Sequence, residues 1–190
     1  SRPQCVGLIS VKDLKPLEVD LQNFKDALSV SESTDAFMNA ASPGVIAQFQ
    51  PNQHYPDHSS YLYALADAMK VEYEGIAEAG LVIQIDSPDL ALGRHVLFKD
   101  QSDQEFVAMA ELHIEALNHA LQNIPAEQLR LHVCWGNYQG PHHCDIEMKK
   151  ILPALLKAKP MALSFEGANP RHSHEWSVFR DVKIPEYKVL

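Results

Sequence analysis

Short apolar runs alternate with longer amphipathic segments along the chain. Four runs have the length and aliphatic character of buried strands, at 6–9, 81–85, 129–134 and 162–165. Four longer segments repeat apolar residues at helical spacing, at 17–28, 61–79, 104–124 and 145–158. Because strands and helices alternate at these lengths, the pattern predicts parallel strands joined by helical crossovers.

Cap and turn residues divide these segments. Ser42 and Pro43 predict a helix start, with the serine as cap and the proline in the first turn. Gly80 and Pro125 predict the ends of the two longest helices. Residues 188–190 predict the start of one more strand.

Two α/β architectures fit this alternation, a doubly wound sheet and a (β/α) barrel. The chain contains neither a G-x-G-x-x-G loop nor a P-loop, so nucleotide binding has no support. Polar side chains follow the predicted strands at their carboxyl ends: Asp86, His132, Cys134 and Glu166. Barrels place functional residues at these ends, so the distribution favours a barrel.

Charge and composition narrow the partners and the location. The 190 residues are 46% hydrophobic and carry a formal net charge of -9, which argues against nucleic acid and anionic membranes as partners. No apolar run approaches the ~18–20 residues that cross a bilayer, and the N-terminus lacks a secretory signal pattern. Three sparse cysteines indicate reduced thiols, and we expect a cytoplasmic protein.

His132 and Cys134 form the most specific candidate site. Residues two apart on a strand point to the same face, so an imidazole and a thiol converge. Imidazole and thiolate suit zinc, and Glu166 at the end of the next strand offers a third ligand. A buried histidine and cysteine in the core is the alternative interpretation of the same two residues.

Other polar residues have both functional and structural interpretations. Asp86 fits either a helix cap or a functional group that would face the same cavity mouth and accept hydrogen bonds from an ammonium group. Asp89 is expected in the first turn of a helix, where the dipole favours a carboxylate. His113 and His119 lie within a helix and are expected at the surface or in packing.

The loop after the third strand carries a second group of candidate ligands. His142, His143 and Cys144 form a possible second metal cluster, although adjacent residues rarely bind one ion, and solvated or substrate-binding histidines are the alternative. His172 and His174 are expected in a loop and helix start on the functional side, where a substrate role is open.

Five stretches together indicate a known family. They are 40–44 (Ala-Ala-Ser-Pro-Gly), 65–73 (with Leu-Ala-Asp-Ala-Met and Glu-Tyr), 80–86 (Gly-Leu-Val-Ile-Gln-Ile-Asp), 132–134 (His-Val-Cys) and 165–169 (Phe-Glu-Gly-Ala-Asn). With these in order over most of its length, the chain resembles the C-terminal catalytic barrel of the cobalamin-independent methionine synthase family, especially its single-barrel members.

The resemblance implies a role for each matching residue. It implies that His132, Cys134 and Glu166 bind zinc, and that Asp86 holds the amino group of homocysteine. It also implies an enzyme that moves a methyl group from N5 of a methyltetrahydrofolate-like donor to the thiol of homocysteine, with zinc favouring the thiolate. Protonation of N5 would improve the leaving group.

The chain departs from the family pattern at its ends. The family's fourth zinc ligand, a second cysteine, and its acid histidine lie on later strands than Leu190, so no catalytic residue is assigned here. Cys144 is a poor substitute because of its loop position. We expect a partial TIM-type (β/α)8 barrel with about six of its eight units, one incomplete domain over 1–190, whose open edges favour self-association.

Two other functions stay open at this point. Another zinc thiol-alkyltransferase of the family, such as one joining an epoxide to coenzyme M, would use the same ligands. An inactive remnant would bind a metal or a partner without turnover.

Overall fold

The computed structural model describes residues 3–137 and 139–190. The four strands are β1 (Phe37–Ala41), β2 (Val82–Asp86), β3 (Leu129–Val133) and β4 (Ala162–Phe165). The six α-helices are α1 (Lys15–Ser29), α2 (Pro43–Phe49), α3 (His58–Glu78), α4 (Leu92–Val96), α5 (Asp103–Ala120) and α6 (Met148–Leu155). Short 3-10 turns occupy Pro88–Leu90, Ala126–Gln128 and Glu175–Arg180.

The strands form one parallel sheet in the order β1-β2-β3-β4. Each strand therefore pairs with the next strand along the chain, whereas a doubly wound sheet reverses its strand order at a switch point. Sequential order is the order of a barrel. The described residues thus contain four strands of a partial (β/α) barrel, and the predicted α/β fold is confirmed.

The two faces of the sheet differ in character. The face against the helices carries buried aliphatic side chains: Ile83, Ile85, Leu129, Leu131 and Val133. The opposite face carries polar side chains that are half-buried: Gln84, Asp86, Arg130 and His132. Helix α3 packs on β1 and β2 and against α5, which packs against α6. The helices thus cover one face, and the inner face of the partial barrel is polar.

The predicted strand at 6–9 is wrong. Cys5 forms a single parallel bridge with Asn52, and Val6 and Leu8 are 77% and 81% exposed. Ile9 donates its N–H to the Tyr55 hydroxyl at 2.8 Å instead of joining a ladder. An apolar run becomes a strand only where a neighbouring strand offers its backbone groups, and within the described residues this segment has no such neighbour.

The predicted strand start at 188–190 forms as a single bridge. Val189 pairs with Ala162, accepting from the N–H of Leu163 at 2.8 Å. The Lys188 ammonium group donates to the Ala158 carbonyl and, at 2.5 Å, to the Pro160 carbonyl. Burial lowers the pKa of Lys188. These bonds hold the segment beside β4.

Helix α2 begins at the predicted cap, and this cap is part of a buried contact. The Ser42 hydroxyl accepts from the N–H of Val45 at 3.0 Å and donates to Asp89 Oδ1 at 2.7 Å. A Cβ added to Gly44 would lie 2.0 Å from Asp89 Oδ2 and 2.4 Å from His113 Nδ1. Glycine is therefore required at position 44 for the carboxylate and the imidazole to approach the backbone.

Gly44→Ala should lower the free energy of unfolding by about 1–3 kcal/mol, because the added methyl group overpacks a buried polar contact. Urea denaturation monitored by circular dichroism measures the change. Gly7→Ala is the matched control, since a Cβ there meets nothing within 4 Å. Alanine favours a helix over glycine by ~0.5–1 kcal/mol, so stabilisation of the Gly44 variant would contradict the steric argument.

Candidate metal and substrate site

The four residues predicted to carry chemistry lie at the carboxyl ends of β2, β3 and β4. The register pairs Asp86 with His132, so both side chains project from the inner face. A cavity of about 370 Å³ is lined by His132, Cys134 and Glu166, together with Asn137 and Phe165. The three predicted zinc ligands thus surround one cavity.

Their ligating atoms do not converge, however. Glu166 Oε1 accepts from Asn169 Nδ2 at 3.1 Å, and His132 Nε2 lies 3.8 Å from Asp86 Oδ1. Among residues 3–137 and 139–190, one trio of His, Cys, Asp or Glu side chains has all its ligating atoms within 4.8 Å, and it is a different trio. The side chains around this cavity would have to rotate to share an ion.

The surroundings of the Cys134 thiol disfavour its ionisation. Burial has the largest effect on the thiol and raises the pKa of Cys134. The backbone N–H of Gly136, where φ is +81°, acts in the opposite direction, and the negative charges of Asp86, Glu166 and Asp89 raise the pKa further. Without a cation nearby, the thiol is therefore protonated at neutral pH.

The side chains that line this cavity are of the kinds that bind zinc. An imidazole, a thiol and a carboxylate are ligands that zinc prefers, and all three line the same cavity. The carboxylates that raise the pKa of Cys134 also create the negative surroundings that a cation neutralises.

Asp86 is available to a ligand. Its side chain is 50% exposed on the inner face, while its backbone carbonyl accepts from the N–H of Ser42 at 3.0 Å. The backbone is therefore anchored and the carboxylate is open, so the cap interpretation of Asp86 is not needed to explain its position.

The second group of candidate ligands is only partly as predicted. His142 and His172 converge on Asp145, a residue that was not among the predicted ligands. His143 and Cys144 lie apart from this trio and line a separate cavity of about 480 Å³ with His95. Asp145 follows His142 by one helical turn's spacing, but its partner His172 comes from the loop after β4, which no local pattern indicates.

No family model matches the chain. A methionine synthase of Saccharolobus solfataricus is 30% identical over 167 residues, which cover 85% of this chain and 45% of the relative. A methionine synthase of Saccharolobus islandicus strain L.S.2.15 is 32% identical over 145 residues, covering 74% of this chain and 40% of the relative. The chain therefore spans less than half of the length of these curated relatives.

A solved structure has the same fold. It is a B12-independent methionine synthase from Shewanella sp. W3-18-1 in complex with selenomethionine, and it matches with a TM-score of 0.59 at 18% identity. The match covers 84% of this chain and 44% of that chain. At this identity the likeness concerns the fold alone.

Sequential parallel strands and polar residues at their carboxyl ends define a partial TIM-type barrel with its candidate site at the usual end of the sheet. The chain belongs to the cobalamin-independent methionine synthase family, as its ordered motifs indicated. Among the described residues, no helix combines the length and apolar character needed to span a membrane.

A buried polar chain lies beside this site, between α2, α3 and α5. Asp89 and His113 are 3% and 5% exposed, and Asp89 Oδ2 lies 2.8 Å from His113 Nδ1. His113 Nε2 lies 2.9 Å from His58 Nε2. When the carboxylate accepts from Nδ1–H, a neutral His113 can accept from His58 at Nε2. His113 is thus a packing residue with a defined hydrogen-bonding role, and Asp89 is bound through its side chain.

The His58 pair should make stability depend on pH. Burial, and next the proximity of His113, lower the pKa of His58 below the ordinary 6.5. The unfolded chain therefore binds the proton more readily, so the stabilisation is complete above about pH 6.5 and is lost as pH falls towards the folded-state pKa. Urea denaturation between pH 5 and 7.5 measures the loss. His58→Asn should flatten the profile in this window, and an unchanged slope would exclude His58 as its source.

Proposed function

We propose that the chain performs zinc-dependent methyl transfer to the thiol of homocysteine, with a reduced folate or another methyl donor, in methionine synthesis. One observation carries the proposal: His132, Cys134 and Glu166 line a single cavity beside Asp86 at the strand ends of a family member. The chain spans less than half of the length of its relatives, so the methyl transfer that a full-length relative performs is proposed for this chain and not taken from the similarity.

Each side chain has a distinct role in this proposal. His132, Cys134 and Glu166 would hold the zinc ion, which when bound lowers the pKa of a ligated thiol so that the thiolate forms near neutral pH. Asp86 would accept hydrogen bonds from the ammonium group of homocysteine, since its carboxylate is half exposed on the same face.

In this proposal the strand register would orient the amino acid for transfer. With its ammonium group at Asp86, homocysteine would extend its thiol along the inner face towards His132, the neighbour of Asp86 in the register. The transfer breaks the methyl–nitrogen bond of the donor and forms the methyl–sulfur bond of methionine, while the donor nitrogen takes a proton. Positioning and thiol ionisation are the contributions assigned to this chain.

The open edges of the partial barrel are the reason to expect self-association, because an unpaired strand edge offers its backbone groups to another chain. The half-buried inner face, with Gln84, Arg130 and His132, would be covered at the same time, since parallel sheets are normally covered on both faces. Association of two copies that covers these edges stays a prediction. Sedimentation equilibrium should show a dimer, and a monomer across the accessible concentrations would contradict it.

Substitutions at the site should separate metal binding from substrate binding. His132→Ala and Cys134→Ser should each lose one equivalent of zinc and the methylation of homocysteine, measured by elemental analysis and by methionine formation. Asp86→Asn should keep the zinc but lower kcat/KM for homocysteine about 10- to 100-fold, because a charged hydrogen bond contributes ~1.5–3 kcal/mol.

Cys144→Ser is the matched control, since Cys144 lines a different cavity and should keep both properties. Zinc retained in full by the His132 and Cys134 variants would contradict the ligand assignment. Zinc bound by a chain that neither methylates homocysteine nor joins an epoxide to coenzyme M would indicate a metal-binding remnant.

A further inference from the structure

Two histidines converge on one carboxylate between the loop after β3 and the loop after β4. His142 Nδ1 lies 2.7 Å and His172 Nε2 lies 3.0 Å from Asp145 Oδ2. The three side chains are 6%, 8% and 6% exposed, in the order His142, His172, Asp145. They are therefore withdrawn from water, unlike His132 and Asp86, whose side chains are 29% and 50% exposed.

The surroundings hold His172 in place. Its ring stacks on the buried Trp135 with centroids 4.1 Å apart, and Trp135 Nε1 donates to the Ile146 carbonyl at 2.8 Å. Glu175 Oε2 lies 3.4 Å from His172 Nδ1, while Glu175 Oε1 accepts from the N–H of Met148 at 2.9 Å. The Glu175 carboxylate thus lies near Nδ1 of the ring, while Nε2 lies towards Asp145, and an outer carboxylate on the far side of the ring is usual for metal-bound histidines.

Two buried carboxylate oxygens in this cluster lack a hydrogen-bond partner within the described part of the chain, and a bound cation would stabilise their negative charge. Among the described residues, Asp145 Oδ1 and Glu175 Oε2 have no hydrogen-bond partner. Burying a carboxylate oxygen without a partner is costly. A cation between Asp145 and the two histidines would neutralise the Asp145 carboxylate directly. It would also make the His172 ring more positive, which would stabilise the nearby Glu175 carboxylate.

The distances between the ligating atoms of His142, Asp145 and His172 also suit a metal ion. Zinc binds nitrogen and oxygen at ~2.0–2.1 Å, so ligating atoms around a tetrahedral ion lie about 3.3 Å apart. The Asp145 contacts at 2.7 and 3.0 Å need only a small expansion to reach that value, and all three ligating atoms already lie within 4.8 Å of one another. His95 Nδ1, 3.9 Å from Asp145 Oδ1, is the nearest further ring nitrogen.

We propose that His142, Asp145 and His172 bind a second divalent transition-metal ion of the zinc type, distinct from the one at Cys134. Its three protein ligands are nitrogen and oxygen only, and because they come from two loops the ion would tie those loops together. The cavity of about 480 Å³ lined by His95 and His143 lies next to the cluster, because the His95 ring stacks on His142. Two imidazoles that share Asp145 without a metal are the alternative.

The test uses the full chain with the first site removed. His132→Ala combined with Cys134→Ser leaves the second cluster intact, so this variant should still bind one equivalent of Co²⁺ or Zn²⁺. Its Co²⁺ spectrum should lack the thiolate charge-transfer band that a cysteine ligand produces. No binding by this variant, as measured by titration calorimetry and elemental analysis, would overturn the proposal whether or not the first site binds zinc.

Substitutions within the cluster decide between an ion and a metal-free pair. On the same background, Asp145→Asn and His172→Gln should each weaken Co²⁺ binding more than about 100-fold, while Glu175→Gln should weaken it about 10- to 100-fold, the usual effect of an outer-shell partner. Unchanged affinity in Asp145→Asn would overturn the proposal. His143→Gln is the matched control and should keep full affinity, since His143 is exposed in the same loop.

Discussion

The burial of aliphatic side chains against the helices, with Ile83 and Leu131 in the middle of the sheet, determines which residues reach the inner face. Side chains alternate along a strand, so a slip of one residue would exchange the two faces. The register that buries Leu131 also places His132 beside Asp86 and one residue before the end of β3. The candidate site therefore depends on apolar packing on the opposite side of the sheet.

The loops above the strands are organised by buried polar contacts rather than by secondary structure. Trp135 and Asp145 join the loop after β3 to His172 in the loop after β4. These same loops adjoin Cys134 and Glu166, which line one cavity without yet converging. A metal-linked cluster would limit the relative movement of the two loops and so hold those two ligands near each other.

A second buried contact supports the neighbouring strand ends. Asp89 joins the cap of α2 to His113 in α5, and Gly44 leaves the space that this contact occupies. The N–H of Ser42 also bonds to the carbonyl of Asp86. The carboxyl end of β2 at Asp86 is thus connected to a polar network that does not itself line the cavity among the described residues. Gly44 is needed within the 40–44 segment because a larger side chain would overlap this network.

The sequence by itself determined the strands and helices that repeat a strong period, the cap at Ser42, and the placement of Asp86, His132, Cys134 and Glu166 at strand ends, because these follow from local spacing. The false strand at 6–9 shows the limit of that reasoning, since a strand needs backbone partners that local spacing does not supply. Only the tertiary structure decided which polar groups are buried and paired. Hydrogen-bond partners such as Asp89 and His113, or Asp145 and His172, lie 24 and 27 residues apart, and only the packing of separate elements brings them together.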